Sequence, residues 1–199
     1  MNDYSIELKG HTLEYFDDEH LYLVDGVIVP SITEILKVKF GGKYDGISRA
    51  TLQMAADKGT EVHDAIEHLV KTGEVTDLPE VRNFLFLKNQ YGFDVYDCEV
   101  PLILFDDDEP ICAGRCDLVL YEHDGVDFGG ADIKRTSALD KLYLTYQLNL
   151  YRIAYLQSYG TEWKFLRGIH LRENVRRYVF IPINERCVTE ILEEWRSHE

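Results

Sequence analysis

Positive charge is scarce in this chain: 21 lysines and arginines stand against 36 aspartates and glutamates, a formal net charge of −15. An acidic field repels phosphates at long range, so a protein that grips nucleic acid with a uniformly basic surface is excluded. Cysteine is sparse too. Cys98, Cys112, Cys116 and Cys187 lack the close pairing of a zinc ribbon or a redox motif, and reduced, mostly buried thiols are expected. No apolar run is long enough to span a membrane. The opening Met1-Asn2-Asp3-Tyr4 has neither the basic region nor the apolar stretch of an export signal, so a cytoplasmic protein is expected. Internal repeats, low-complexity tracts and linkers are missing as well.

What is present points to one folded domain. A length of 199 residues suffices for a substantial core, and 45% hydrophobic residues with 13 tyrosines argue against disorder. The charges are unevenly placed. Acids gather at Asp17-Asp18-Glu19, at Asp106 to Glu109 and at Glu190 to Glu194, whereas Lys134, Arg135, Lys141, Lys164, Arg167, Arg172, Arg176 and Arg177 all fall late. A local basic groove on an acidic body is compatible with that distribution.

Taken in order, His20 to Val24 and Val27 to Val29 read as strands joined at Asp25-Gly26, a hairpin signal. Ser31 and Glu34 form a capping box for a helical run from Ile32 to Leu36. Gly41-Gly42 breaks the chain, so residues 1 to about 45 are expected to be a β-hairpin extension of the single domain. A helical pattern starts at Ile47. Gly59 is expected to interrupt it and to let another backbone approach closely, before Thr60 to Val70 resumes with Val62, Ala65, Ile66 and Leu69 as the buried stripe. Pro79 to Tyr91 is a further helix. Asp94 to Phe105, Ile111 to Tyr121 and Asp127 to Lys134 follow as an antiparallel meander, with turns at Asp106 to Pro110 and Glu122 to Gly125. Ala138 to Tyr159 is the longest helix, with Leu139, Leu142, Tyr146, Leu150 and Ile153 as its buried stripe. Two strands, Trp163 to Leu171 and Val175 to Ile183, and a helix from Ile183 to Trp195 capped by Asn184 close the chain. The fold class is mixed α/β: a central mixed sheet, part of it an antiparallel meander, flanked by helices.

Four groups of residues carry potential chemistry. Asp132 and Lys134 share one face of a strand end, where an acid could hold a cation and an ammonium could steady charge on a phosphate. For Asp-x-Lys alone, an exposed ion pair at a strand end is the more common explanation. Asp117 alternates with Ala113, Arg115 and Val119 on one face of its strand, opposite Gly114, Cys116, Leu118 and Leu120. It is placed to lie beside Asp132, or to pair with Arg115 or Lys134. His63 and Glu67 share a helix face one turn apart, as a solvated edge or as ligands of one metal ion. Tyr143, Gln147, Tyr151 and Tyr155 repeat every fourth residue; core packing explains the tyrosines, but the amide needs a partner.

Together, Gly59-Thr60-Glu61-Val62-His63, Gly114-Arg115-Cys116-Asp117, Asp132-Ile133-Lys134 and Gln147-Leu148-Asn149-Leu150-Tyr151 stand in the order, and on the element types, of a known set. The chain resembles the PD-(D/E)XK nuclease superfamily, in its branch of RecB-like, Cas4-like and phage-type exonucleases. That resemblance spans about Ile47 to Tyr155 and implies a restriction-endonuclease-like core. His63, Asp117 and Asp132 would ligate Mg²⁺ or Mn²⁺ with the Ile133 carbonyl, and Glu67 more weakly. Lys134 would be the catalytic lysine, alongside Asp117 and Asp132. Gln147 and Tyr151 would support the site, and Arg115, Arg135 and Tyr151 would contact nucleic acid. The expected activity is metal-dependent hydrolysis of DNA, by an exonuclease of recombination, repair or processing in a bacterial or phage-infected cell. The partners are DNA and, beyond it, a further copy of the chain or a recombination protein. With Cys187 alone near the end, no iron-sulfur cluster is expected.

Two other classes compete with this reading. A non-catalytic nucleic-acid-binding or recombination accessory protein could keep the same scaffold, although Asp132 and Lys134 would then have no reason to persist together. An acidic protein that mimics DNA would instead spread carboxylates along one exposed face and show no metal dependence.

Overall fold

The computed structural model describes residues 3–44, 46–122 and 125–198. Met1 and Asn2, Asp45 at the end of the expected extension, and His123 and Asp124 of an expected turn lie outside the described residues.

The first structural surprise is the N-terminus, where four strands replace the expected hairpin. They are β1 (Tyr4–Leu8), β2 (His11–Phe16), β3 (Leu21–Val24) and β4 (Val27–Val29), paired antiparallel in chain order. The turn between β3 and β4 has positive φ at Asp25 and Gly26, a conformation that aspartate tolerates and that glycine, lacking a Cβ, adopts freely. The first pair escaped sequence reading because Glu7, Thr12 and Glu14 dilute the apolar alternation of these short strands. Ser31 then caps α1 (Ile32–Phe40) by the full capping box with Glu34, and the helix runs a turn beyond its expected end into a 3₁₀ turn, Gly41–Tyr44.

Helix α2 (Arg49–Thr72) is continuous through Gly59, so the expected interruption is corrected. A single glycine costs an α-helix only about 1 kcal/mol, which the rest of a long helix outweighs. Nor does any backbone approach there: a Cβ at Gly59 would meet nothing within 4 Å. The helix is anchored by Val62, Ala65 and Ile66, each burial of a large side chain being worth roughly 1.5–3 kcal/mol. The turn carrying His63 is therefore its fixed part.

After α3 (Pro79–Tyr91) come β5 (Phe93–Asp106), β6 (Glu109–Glu122), β7 (Phe128–Lys134), α4 (Lys141–Tyr159), β8 (Phe165–Arg172), β9 (Val175–Ile181) and α5 (Glu185–Arg196). The five strands lie in chain order in one sheet. The expected meander β5-β6-β7 is antiparallel, β8 is parallel to β7 across the α4 crossover, and β9 is antiparallel to β8. At β7 the approach is tight: a Cβ on Gly130 would sit 2.0 Å from the ring of Trp163. The mixed α/β class follows from this architecture.

Three packed regions result. Helices α1, α4 and α5 cover one face of the large sheet, α2 and α3 cover the other around Leu118, Leu120, Ala131 and Ile133, and the small sheet packs on Ile103, Phe105 and Ala113. The two sheets are joined at Pro30, whose carbonyl accepts from the Ala113 N–H at 3.0 Å. Helix α4 is buried around nearly its whole circumference from Leu144 to Tyr155, whereas Leu142, expected in its buried stripe, is 60% exposed. That expectation fails because Leu142 lies in the helix's first turn, beyond the elements that enclose its middle. Asn184 also caps differently from expectation. Its side chain accepts no capping bond, and its own N–H donates to Asn149 Oδ1 at 2.7 Å. All four cysteines are buried and free.

Candidate metal centre

A strand that kept strict alternation would place Cys116 and Leu118 on one face. They lie on opposite ones: Cys116 packs under α4 and Leu118 under α2 and α3. The neighbouring strand does the same, with Val100 under α4 and Cys98 under α2. Both strands thus skip at the residues between, Asp117 and Glu99. Glu99 carries the backbone signature of that skip, φ +53° inside a strand, whereas Lys9, His20, Asp25, Asp107 and Asp108, the other described non-glycine residues of positive φ, all sit in turns. Such a conformation costs of order 1–3 kcal/mol and persists only where the surroundings over-determine it. Here it aims two carboxylates of adjacent strands toward the side that α2 covers.

His63 of α2 completes the group. Its Nδ1 lies 3.6 Å from Asp117 Oδ1 and 3.8 Å from Glu99 Oε1, while its Nε2 sits 3.2 Å from the Ile133 carbonyl. A carbonyl only accepts, so Nε2 carries the proton and donates, and Nδ1 is the nitrogen that faces the acids. Separations of 3.6–3.8 Å are too long for hydrogen bonds but are bridged by one ion with bonds of about 2.1 Å to each ligand. His63, Glu99 and Asp117 can each offer one ligand atom with all three within 4.8 Å of one another. An imidazole oriented by a backbone carbonyl, with two carboxylates, fits a hard or borderline divalent cation such as Mg²⁺ or Mn²⁺.

The electrostatics agree with that fit. Burial works against charge on the imidazole, yet Asp117 and Glu99 outweigh it and push its pKa up to about 9. A proton on Nδ1 therefore occupies the place a cation would take. Burial raises the Asp117 carboxyl against the pull of His63, and its Oδ2 accepts from the Ile133 N–H at 2.6 Å. That bond stands beyond Leu118 and Ala131, the last paired residues of β6 and β7 at this end.

Behind this trio lies Asp132, 1% exposed, with Lys134 Nζ at 2.6 Å from its Oδ2. Burial drives the Asp132 pKa up to about 6 against the opposing effect of Lys134. Lys134 is itself held above its ordinary value because Asp132 and Asp117 overcome its burial. Tyr151 lines the same cavity as His63 and Asp117, and its hydroxyl accepts from Gln147 Nε2 at 3.2 Å. The opposite wall comes from the small sheet, with Tyr15, His20 and Tyr22 around a space of about 230 Å³.

The residues singled out from the sequence thus separate. His63, Asp117, Asp132, Lys134, Gln147 and Tyr151 converge. The Ile133 carbonyl is engaged by His63 Nε2, so it orients the ring. Glu67 lines an adjoining cavity with Asp64 and Lys71, which Glu99 and Arg115 also border, and Lys71 holds it in an ion pair. Arg135 is tied to buried Glu80 at 2.9 Å, away from the trio. Arg115 does reach the site, where its Nε pairs with Glu99 Oε2 at 2.6 Å and its guanidinium lies over the Tyr15 ring. Sequence reading missed Glu99, since the skip that aims it has no pattern of its own, and Asp94 and Asp97 just before it make one more acid in this strand unremarkable.

Comparison with known proteins adds little. No family model matches the chain, and no curated protein does. Among solved structures, the crystal structure of SSO0001 is similar at a TM-score of 0.48 and 13% identity, over 86% of this chain and 76% of that one.

Proposed function

We propose that the protein is a metal-dependent nuclease that hydrolyses DNA phosphodiester bonds, on the restriction-endonuclease-like core that its motifs resemble. The observation that carries this reading is the meeting of His63 with Asp117 and with the Ile133 carbonyl, a residue 70 positions away, which brings three separate motifs to one place. His63, Glu99 and Asp117 would hold Mg²⁺ or Mn²⁺, the imidazole favouring Mn²⁺. The bound cation would supply a Lewis acid and lower the pKa of a coordinated water.

The chain's own residues do the rest. Asp132, paired with Lys134 at 2.6 Å beside the trio, would add its carboxylate to the ligand set, as its motif implies. Lys134 sets a fixed positive charge beside it, where negative charge grows on the reacting phosphate. Tyr151, immobilised in the core, closes the back of the cavity and excludes water. DNA as partner, action from strand ends, and a role in recombination or repair belong to the same proposal. Among the described residues no helix is long and apolar enough to cross a membrane.

The test is incubation of the purified protein with linear and circular, single- and double-stranded DNA, with Mg²⁺, Mn²⁺ or EDTA. Cleavage should require the cation. Asp117→Asn and Lys134→Ala should each slow it by roughly 10²–10⁴-fold, the range for loss of one positioned catalytic group, with circular dichroism reporting the fold. Equal cleavage by Asp117→Asn would overturn the assignment. DNA binding without cleavage in any cation would replace it with an accessory role.

A further inference from the structure

Resting on that nuclease reading, we infer that a second cavity, between α1 and the start of α4, takes the base of the nucleotide next to the scissile phosphate. Its volume is about 360 Å³, within the size range of small-ligand sites. Position is the first argument. Lys134 lies 2.6 Å from Asp132 and also lines this cavity, and Thr33 stands on the wall of both this cavity and the one around His63, Glu99 and Asp117. An occupant here is therefore one side chain away from the metal site.

Chemistry is the second. The rings of Phe40 and Tyr143 meet edge to face, 5.3 Å apart at 72°, over a floor that includes buried Leu36. Phe40 is only partly buried, so ring surface remains for a flat partner. Lys37, exposed in the cavity wall, brings positive charge to a pocket whose other charged groups are Lys134, paired with Asp132, and Asp140, whose Oδ1 accepts from the Tyr143 N–H as the cap of α4. A flat ring joined to an anion is what such a pocket complements, and the nucleotide of the strand being cut is the ligand of that class that the neighbouring site would deliver. Its base must leave the stack, which is cheapest at frayed ends or in single strands. The cavity therefore selects unpaired DNA.

Two readouts test this. In cleavage assays, an abasic residue beside the scissile bond, or Phe40→Ala, should each lower kcat/KM by roughly 5- to 100-fold, as loss of one stacked base does. Combining them should cost little more than either alone. In EDTA, a single-stranded oligonucleotide carrying 2-aminopurine should change its fluorescence on binding, and Phe40→Ala should remove that change. If wild type cuts abasic and intact DNA equally and the fluorescence does not respond to Phe40, the base pocket is wrong while the nuclease reading survives. If no DNA is cut but the Phe40-dependent signal is present, the nuclease reading fails and the pocket stands.

Discussion

Two ion pairs of equal length flank His63 and Asp117, and they are built for different purposes. Arg115–Glu99 and Lys134–Asp132 both close at 2.6 Å. The side chains of the first are 13% and 12% exposed and sit at the seam between the two sheets, where Arg115 also leans on the Tyr15 ring. In the second, Asp132 is 1% exposed while its partner Lys134 is 23% exposed. Glu99 rests on a left-handed backbone that only the surrounding packing maintains, and Asp132 on an ordinary strand. The contrast teaches which acid is free to change partners. At the seam a carboxylate can turn from a guanidinium toward a cation at small cost, whereas inside the sheet a carboxylate without its ammonium is an uncompensated buried charge.

The strongest way to break the contrast is to remove the ammonium that pairs with the buried acid. Lys134→Met should cost about 3–5 kcal/mol of folding stability in urea titration, the usual penalty for leaving half of a buried pair. Adding Asp132→Asn should restore most of that stability and none of the DNA cleavage. A loss below about 1 kcal/mol for the single variant would mean that Asp132 is as well solvated as a surface acid.

At the seam the same kind of change should read out in metal binding instead of folding. Glu99→Gln keeps the shape of the side chain and removes its charge. It should weaken Mn²⁺ binding by calorimetry about 10- to 100-fold, the range seen when a group supporting a metal site is lost. Folding stability should move by less than about 1.5 kcal/mol, the scale of a single net hydrogen bond. Glu67→Gln is the matched control. Glu67 lines a cavity that Glu99 also borders, but Lys71 already holds it in an ion pair and it is not one of the three grouped ligands, so Mn²⁺ affinity should hold. Equal loss from both variants would say that the site responds to net charge and not to ligation by Glu99.

This asymmetry also explains what the sequence could disclose. Asp132-Ile133-Lys134 was legible because it rests on strand alternation, which needs only neighbouring residues. His63 was legible because α2 buries Val62 and Ile66 on a helical period. Glu99 was not, since its direction depends on a skip in two strands at once, a property of their pairing. Tyr15, His20 and Tyr22 lie beyond local reading for a similar reason. Only the packing of Tyr15 and Tyr22 on Ile103 and Ala113 brings their sheet to the cavity. Gly59 misled in the opposite direction, since its local cost was weighed without the anchored turns that follow it.

The mildest probe is pH. His63 gains its proton affinity from Asp117 and Glu99, so its folded pKa of about 9 exceeds the ordinary 6.5. The folded state therefore binds the extra proton between those values. In EDTA, the resulting stability should be fully present below pH 6.5 and lost as pH rises through about 9. A loss of about 1 kcal/mol is expected, less than the whole shift converts to, because the carboxylates gain hydration as the imidazolium discharges. His63→Asn should flatten the profile over that window. Stability of the wild type that stays level or rises from pH 7 to 9 would show that the acids are not held against His63 in solution, and that the seam is open even before a cation arrives.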